Sequence, residues 1–219
     1  MAKVVFDVSV SVDGFLAGPN ATLEEPLGAG GEALHEWAFA TKRFREQHGL
    51  EGGEEGVDSD VVDEYLRSTG ATVMGRRMFS GGEGPWEDDP NANGWWGDEP
   101  PFHHAVFVVT HHPREALVLK GGTMFTFVTD GIEAAVVRAR EAASDLDVAV
   151  AGGANVIQQC LRAGLVDEFQ LHVAPVLLGA GVPLFAGGPA EPLRAVRSRV
   201  IESPGVAHLR YRLSPSTAE

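Results

Sequence analysis

Residues 73–79, with the sequence VMGRRMF, and residues 150–157, with the sequence VAGGANVI, decide the fold of this chain. Each segment is a strand-like apolar run that reaches glycine and then continues with a helical pattern. Such a turn points unpaired backbone N–H groups, and the positive end of a helix dipole, at one spot where an anion can bind. Two such turns in one α/β chain indicate a long ligand with several phosphates, such as a dinucleotide. The alternative is that both are ordinary connections, in which glycine only allows a tight turn.

The composition is that of an ordinary globular protein with an acidic balance. The 219 residues are 44% hydrophobic and 22% charged, and the formal net charge is −14. This length fits one α/β domain with insertions, and we predict a single domain over residues 1–219. The negative charge argues against a nucleic-acid partner, which requires a basic surface. No apolar run reaches the ~20 residues of a membrane helix, and no signal-peptide core precedes the first predicted strand.

The cysteine and histidine content bears on location and on metal binding. Cys160 is the only cysteine, so it forms no intrachain disulfide, which fits a reducing compartment and predicts a cytoplasmic protein. Its apolar neighbours in a predicted helix indicate a buried, unreactive thiol. The paired histidines at 103–104 and 111–112 lack the carboxylate or cysteine spacing of a metal site, so we predict no metal. His103 or His104 is instead a candidate substrate ligand.

Predicted strands alternate with predicted helices, and a strand-rich segment ends the chain. Residues 4–12 alternate apolar with other residues as a strand does, and residues 32–48 carry an apolar stripe typical of a helix. A second helix is predicted to stop at Gly70. Further predicted strands are 71–74, 105–110, 124–129, 147–151 and 169–173, followed by a hairpin within 194–213. This order predicts an open, largely parallel sheet with antiparallel strands at its C-terminal side.

Two segments are predicted to be loops. Residues 49–57 are acidic and rich in glycine, which is typical of a flexible loop. Residues 81–104 form a long irregular segment, and its three tryptophans argue against disorder. Trp95 and Trp96 are candidates for a wall that stacks on a flat heterocycle, and Phe15 is a further candidate. The alternative for these tryptophans is loop packing or an oligomer contact.

Five segments in register resemble the dihydrofolate reductase superfamily. The resemblance is closest to the reductase domain of the bacterial riboflavin-biosynthesis deaminase–reductase and to its stand-alone relatives, and it covers nearly the whole chain. It implies a dihydrofolate reductase-like three-layer α/β fold, with a mixed, mostly parallel central sheet, helices on both faces and antiparallel C-terminal strands. The segments are SVSVDGFLA at 9–17, VMGRR at 73–77, VVTH at 108–111, VAGGA at 150–154, and 168–179 with 183–185.

The resemblance implies NADPH as the cofactor and assigns residues to it. The 2′-phosphate of NADPH is bound by arginine and neutral hydrogen-bond donors, whereas the ribose of NADH is bound by an acidic residue. The resemblance therefore implies NADPH rather than NADH. Asp13 is placed beside the nicotinamide, as a substrate ligand or a proton relay; the alternative is a turn-forming Asp-Gly pair. The implied cofactor contacts are the backbone of Ser9, Leu16 and Ala17, the group Gly75, Arg76, Arg77, Thr110 and His111, and the group Gly152, Gly153, Ala154 and Asn155.

Three functional classes follow, of which the first is preferred. This class is an NADPH-dependent oxidoreductase that transfers a hydride to a small flat heterocycle of the pterin, pyrimidine or flavin-precursor type. Met78 stands where the folate enzyme has a hydroxyl residue. The carboxylate with which that enzyme binds its substrate has no clean equivalent in this sequence. Folate reduction is therefore not expected. The second class is a dinucleotide-binding module with lost or secondary catalysis, and the third is an interaction protein. The apolar run 173–178 and the strand-rich end of the chain predict a homodimer through the sheet edge and the C-terminal strands.

Overall fold

The computed structural model describes residues 2–187 and 192–214. The chain divides into two compact units, each built from two chain segments. The first unit comprises Met1–Phe6 with Thr69–Val166, and the second comprises Asp7–Ser68 with Asp167–Glu219. A single domain over residues 1–219 stays a prediction, and its residues 1, 188–191 and 215–219 lie outside the described residues.

The bounds of the elements follow the predicted alternation. The strands are β1 (Val4–Ser11), β2 (Phe15–Ala17), β3 (Thr69–Gly75), β4 (Ala105–Val109), β5 (Leu117–Val118), β6 (Met124–Val128), β7 (Asp147–Gly152), β8 (Glu168–Ala174), β9 (Val182–Pro183), β10 (Ala195–Glu202) and β11 (Ala207–Leu213). The helices are α1 (Glu36–Phe39), α2 (Lys42–Gln47), α3 (Val57–Ser68), α4 (Arg76–Ser80), α5 (Ile132–Ala143) and α6 (Ala154–Arg162).

The first unit contains the parallel part of the sheet. Its strand order is β1-β7-β3-β4-β6-β5, and the pairs from β1 to β6 are parallel while β5 is antiparallel to β6. Strands buried on both faces read as continuous apolar runs, and β3 and β4 contain such runs. Helix α5 packs on β3, β4 and β7, and α6 packs on β7 and β3. The predicted mixed, mostly parallel sheet is confirmed.

Gly70 does not end a helix, so that prediction is wrong. Helix α3 ends at Ser68, and Gly70 lies inside β3. A Cβ atom at Gly70 would lie 2.6 Å from the carbonyl oxygen of Ala143 and 2.8 Å from Cβ of Leu146. The residue is glycine because the end of α5 approaches β3 closely, which is a tertiary requirement with no local pattern.

The second unit contains the antiparallel C-terminal strands. Its order is β10-β11-β8-β1, and β11 pairs antiparallel with both β8 and β10. The turn between β10 and β11 closes with a hydrogen bond of 3.0 Å from the Ser203 N–H to the Val206 carbonyl, which confirms the predicted hairpin. Strands β2 and β9 form a separate antiparallel pair.

The predicted continuous helix over residues 32–48 is wrong. A 3₁₀ turn (Gly31–Leu34), α1 and α2 occupy this stretch instead. Thr41 separates the helices because its backbone is extended, with φ −72° and ψ 142°, and its side chain accepts a hydrogen bond from the Phe44 N–H. Beside this break, the backbone of Glu54 donates a hydrogen bond to the Ala40 carbonyl and accepts one from the Lys42 N–H. The flexibility predicted for residues 49–57 stays a prediction, although Glu54 is anchored.

The long aromatic segment lies against the core of the first unit. Between α4 and β4 it contains one short 3₁₀ turn, Trp86–Asp88, and otherwise no helix or strand, as predicted. Trp86 and Trp96 pack against a buried cluster that includes Phe79 and Phe125. Among the described residues, no helix is long and apolar enough to cross a membrane.

Candidate functional site

Three neighbouring strand ends of the first unit carry most of the predicted cofactor residues. Strands β7, β3 and β4 lie side by side, with Met74 opposite Gly152 and Gly75 opposite Val109. The two glycine turns and the residues after β4 therefore meet at the carboxyl edge of a parallel sheet. Ligands of open α/β sheets bind at this edge. The sequence motifs, which are distant along the chain, are brought together as the prediction requires.

The turn at Gly152 and Gly153 leaves open space beside its backbone. Gly152 has φ +124°, which disfavours any residue with a side chain, and a Cβ atom there would meet only the Met78 sulfur, at 3.8 Å. A Cβ atom at Gly153 would have no described heavy atom within 4 Å. Helix α6 begins at Ala154 directly after the turn, and Asn155 is exposed in its first turn. Backbone and helix start therefore fit a pyrophosphate.

Arg76 is engaged inside the first unit rather than exposed at the edge. Its side chain is 7% exposed, and its Nη2 lies 2.5 Å from Oδ2 of Asp89, whose side chain is 1% exposed. Arg76 also donates to the Ser80 hydroxyl, and its guanidinium lies 3.5 Å from the centre of the Trp86 ring. Hydrogen bonds from Ser80, Asn91 and Arg76 hold the pKa of Asp89 below its usual range, although burial opposes them.

Arg77 is exposed at this edge. Its side chain is 76% exposed and pairs with Glu83, which is itself largely exposed. Exposed pairs of this kind contribute little to stability, so Arg77 can exchange Glu83 for another anion. Thr110 is buried, and its hydroxyl accepts a hydrogen bond of 3.1 Å from the His112 N–H. His111 is exposed beside it.

The candidate substrate residues of the long segment make their contacts within the first unit. Trp95 donates its indole N–H to the Met78 carbonyl at 2.9 Å, and the Trp96 ring lies 5.0 Å from the Phe102 ring. His103 is exposed, with Nδ1 2.9 Å from the Gly121 carbonyl oxygen. Burial lowers the pKa of the neighbouring His104 to about 4, and the charge of His103 adds to this effect. These contacts favour loop packing, while a substrate role stays a prediction.

The residues predicted to contact the nicotinamide lie in the second unit. Ser9 is buried, and its hydroxyl accepts a hydrogen bond of 2.9 Å from the indole N–H of Trp37. Phe15, Leu16 and Ala17 form β2, with Phe15 opposite Pro183 in β9. Gly181 is required there because a Cβ atom would lie 2.1 Å from the Ala17 carbonyl oxygen. Their cofactor and substrate contacts stay predictions.

Asp13 forms a turn and holds a loop within the second unit. Its carboxylate accepts backbone N–H bonds from Leu178 at 3.2 Å and from Gly179 at 2.7 Å. The hydrogen bond from Ser11 and these backbone bonds hold the pKa of Asp13 below its usual range. Gly14 follows with φ +83°. An ionised carboxylate with several donors is a poor proton source, so this geometry favours the turn-forming alternative.

The single thiol is buried, as predicted. Burial, with the nearby charge of Glu133, raises the pKa of Cys160 to about 12. A thiol with this pKa is protonated and unreactive at neutral pH. Within the described ranges, no group of three or more His, Cys, Asp or Glu side chains is arranged to hold a metal ion.

The parallel strand ends and the antiparallel C-terminal strands define an α/β protein with a mixed sheet. The chain belongs to the RibD C-terminal domain family, whose model matches residues 2–206. Sequence search finds YyaP, an uncharacterized protein of Bacillus subtilis (strain 168), at 25% identity over 95% of this chain and 94% of that protein. YwjB of the same organism is 35% identical over 60 residues, which are 27% of this chain and 34% of that protein.

Solved structures confirm the fold. A protein from Shewanella sp. PV-4, whose name places it in riboflavin biosynthesis, has a TM-score of 0.60 at 20% identity, with 98% of this chain and 100% of that chain covered. A pyrimidine reductase-like protein from Corynebacterium diphtheriae has a TM-score of 0.57 at 14% identity, with 98% and 93% covered. The Thermotoga maritima deaminase/reductase also has a TM-score of 0.57, at 16% identity, and this chain covers 57% of it.

Proposed function

We propose that this chain is an NADPH-dependent oxidoreductase that transfers a hydride to a small flat heterocycle of the pterin, pyrimidine or flavin-precursor type. The observation that carries the proposal is the junction of the β7, β3 and β4 ends, where two glycine turns lie beside exposed Arg77. Bound NADPH would supply the hydride, while the chain binds and orients it. Membership of the RibD C-terminal domain family supports a reductase, and the pyrimidine reductase-like relative supports the substrate class.

In this proposal Gly152, Gly153 and the start of α6 hold the pyrophosphate. Arg77, with the backbone near His111, holds the 2′-phosphate, whereas Arg76 supports the edge from inside. This assignment differs from the sequence interpretation, which gave both arginines to the phosphate. The reason is that Asp89 neutralises the charge of Arg76 within the unit. A buried ion pair does not release its arginine to a ligand without leaving an unpaired carboxylate.

The Arg77→Ala variant tests the cofactor assignment. We expect NADPH affinity to fall by about tenfold or more, because one charge-assisted contact contributes about 1.5–3 kcal/mol. NADH affinity should change much less, since NADH lacks the 2′-phosphate. Fluorescence titration of both cofactors measures the ratio. Arg67→Ala is the matched control, since Arg67 is similarly exposed, at 77%, and pairs with Asp63. Equal losses for NADPH and NADH in the Arg77 variant would remove the assignment.

The second candidate is a dinucleotide-binding module with lost or secondary catalysis. The sequence offered Asp13 as the proton relay, but its carboxylate is ionised and already accepts backbone hydrogen bonds. Asp13 is therefore a poor proton source, which favours a module without catalysis. Turnover separates the two functions. Consumption of NADPH with pterin, pyrimidine or flavin-precursor substrates supports the reductase, and tight NADPH binding without consumption supports the module.

The Trp95→Ala/Trp96→Ala variant tests the predicted substrate wall. We expect weaker substrate binding with NADPH affinity nearly unchanged, because a flat ring would lose its stacking surface. The Trp96→Phe variant is the control, since it keeps an aromatic ring against Phe102 and the core of the first unit. Substrate affinity that is unchanged in the double variant, with lower thermal stability, would assign both tryptophans to loop packing.

We also propose a homodimer through the C-terminal edge strand. Strand β10 ends its sheet, and Val196 and Val200 on it are 60% and 44% exposed. An edge strand with exposed apolar residues is a surface for a second copy. Light scattering should give twice the chain mass of 23.3 kDa. Val200→Lys should shift the mass toward the monomer, while Val118→Lys on exposed β5 should not. A monomer at micromolar concentration would contradict the proposal.

A cytoplasmic location belongs to the same proposal. Its support is the single buried cysteine, which is typical of proteins in a reducing compartment.

A further inference from the structure

Two buried histidines of the second unit contact each other directly. His172 of β8 and His208 of β11 lie opposite one another and are 3% and 1% exposed. Their Nδ1 atoms are 2.6 Å apart. The indole of Trp37 contacts both rings, at centroid distances of 4.5 Å and 4.9 Å. The sequence showed no pattern that pairs these two histidines, and the proposed function does not use them.

A carboxylate binds the outer nitrogen of each ring. Nε2 of His172 contacts Oδ1 of Asp7 on β1. Nε2 of His208 lies 2.9 Å from Oδ1 of Asp58 on α3. The result is a continuous chain of hydrogen bonds, Asp7–His172–His208–Asp58, which joins three strands to one helix.

The number of protons in this chain follows from its hydrogen bonds. An ionised carboxylate only accepts, so each histidine must donate from its Nε2. The contact between the two Nδ1 atoms needs a third N–H, because two lone pairs repel. Two neutral imidazoles carry only two N–H protons, so three hydrogen bonds require one more. We propose that His172 and His208 share one extra proton, and that this proton fastens α3 to the sheet of the second unit.

The charges around the pair are consistent with one extra proton. The Gln170 amide donates to the second oxygen of Asp7 at 2.8 Å, which keeps that carboxylate an acceptor. Arg210 donates to Gln170 at 3.0 Å, and its own charge is paired with Glu64 at 2.7 Å. The two carboxylates that face the rings are therefore the charges that balance the proton.

A second extra proton is disfavoured. Burial lowers the pKa of His208, although its hydrogen bond to Asp58 acts to raise it, and the charge of His172 lowers this pKa further. Burial also lowers the pKa of nearby His35 to about 4, and the same charge of His172 contributes. The pair therefore holds one positive charge, and His35 stays neutral beside it.

The shared proton is needed for all three hydrogen bonds of this chain. Without it, the two Nδ1 lone pairs face each other, so one of the three hydrogen bonds must break. The proton therefore contributes to the attachment of α3 to the sheet of the second unit.

Comparison of the protein with its His208→Gln variant tests the proposal. Glutamine keeps hydrogen-bonding groups but does not titrate. We expect a lower unfolding midpoint for the variant at about pH 6, because its side chain cannot carry the proton that links Nδ1 of His172 to Asp58 of α3. The exposed His111→Gln variant is the control and should unfold as the unmodified protein does. A His208→Gln protein that unfolds at the same midpoint as the unmodified protein would overturn the proposal.

Nuclear magnetic resonance of the unmodified protein with ¹⁵N-labelled histidine gives a test that does not depend on the variant's folding. At about pH 6 we expect three N–H protons on the rings of His172 and His208, one of them shared between the two Nδ1 atoms. Two neutral rings with two protons at that pH would overturn the proposal.

Discussion

The Gly152→Val variant is expected to lose dinucleotide binding while the first unit stays folded. Gly152 has φ +124°, which a β-branched residue does not adopt without strain. Its side chain would also occupy the open space beside the turn, where the pyrophosphate is proposed to lie. We expect NADPH affinity to fall by more than about a hundredfold, which corresponds to about 3 kcal/mol. Calorimetric titration measures the loss, and circular dichroism checks the fold.

A neighbouring glycine provides the matched control for this prediction. Gly164 also has a positive φ, of +64°, but follows α6 at its far end, with no described atom within 4 Å of an added Cβ. Gly164→Val also places a β-branched residue at a positive φ, but away from the strand ends, and should bind NADPH as the unmodified protein does. Normal NADPH binding by a folded Gly152→Val protein would show that the turn is only structural.

The second large effect concerns Arg76, whose loss should destabilise the first unit. The Arg76→Met variant leaves the Asp89 carboxylate, 1% exposed, without its cationic partner. It also removes the guanidinium that lies 3.5 Å from the Trp86 ring. Breaking a buried pair on one side costs about 3–5 kcal/mol, because the remaining charge is uncompensated. Urea denaturation should show this decrease in the free energy of unfolding.

Two further variants separate a structural role of Arg76 from a role in binding. Arg77→Ala removes the exposed neighbour and should change the free energy of unfolding by no more than about 0.5 kcal/mol. Arg76→Met/Asp89→Leu removes both charges and should recover much of the stability lost in the single variant. An Arg76→Met protein that unfolds as the unmodified protein does, but binds NADPH weakly, would restore Arg76 to the phosphate site.

The sequence alone predicted the order of the main strands and the largely parallel sheet, but not the break within residues 32–48. Apolar runs at 71–74 and 147–151 predicted β3 and β7, and the turn residues 203–205 predicted the final hairpin. These features depend on local periodicity and turn chemistry, which neighbouring residues determine. The glycine turns were also visible, because positive backbone angles and helix starts have their own residue preferences. The burial of Cys160 followed from its apolar neighbours.

The tertiary structure decided which charged groups are available and which are paired. Arg76 and Arg77 are adjacent in sequence, yet one is buried against Asp89 and the other is exposed, because α4 turns consecutive side chains to different faces. The His172–His208 pair depends on the register of β8 and β11, which no local pattern specifies. Ionisable side chains take their roles from partners distant in the chain, and only the folded structure brings those partners within hydrogen-bonding distance.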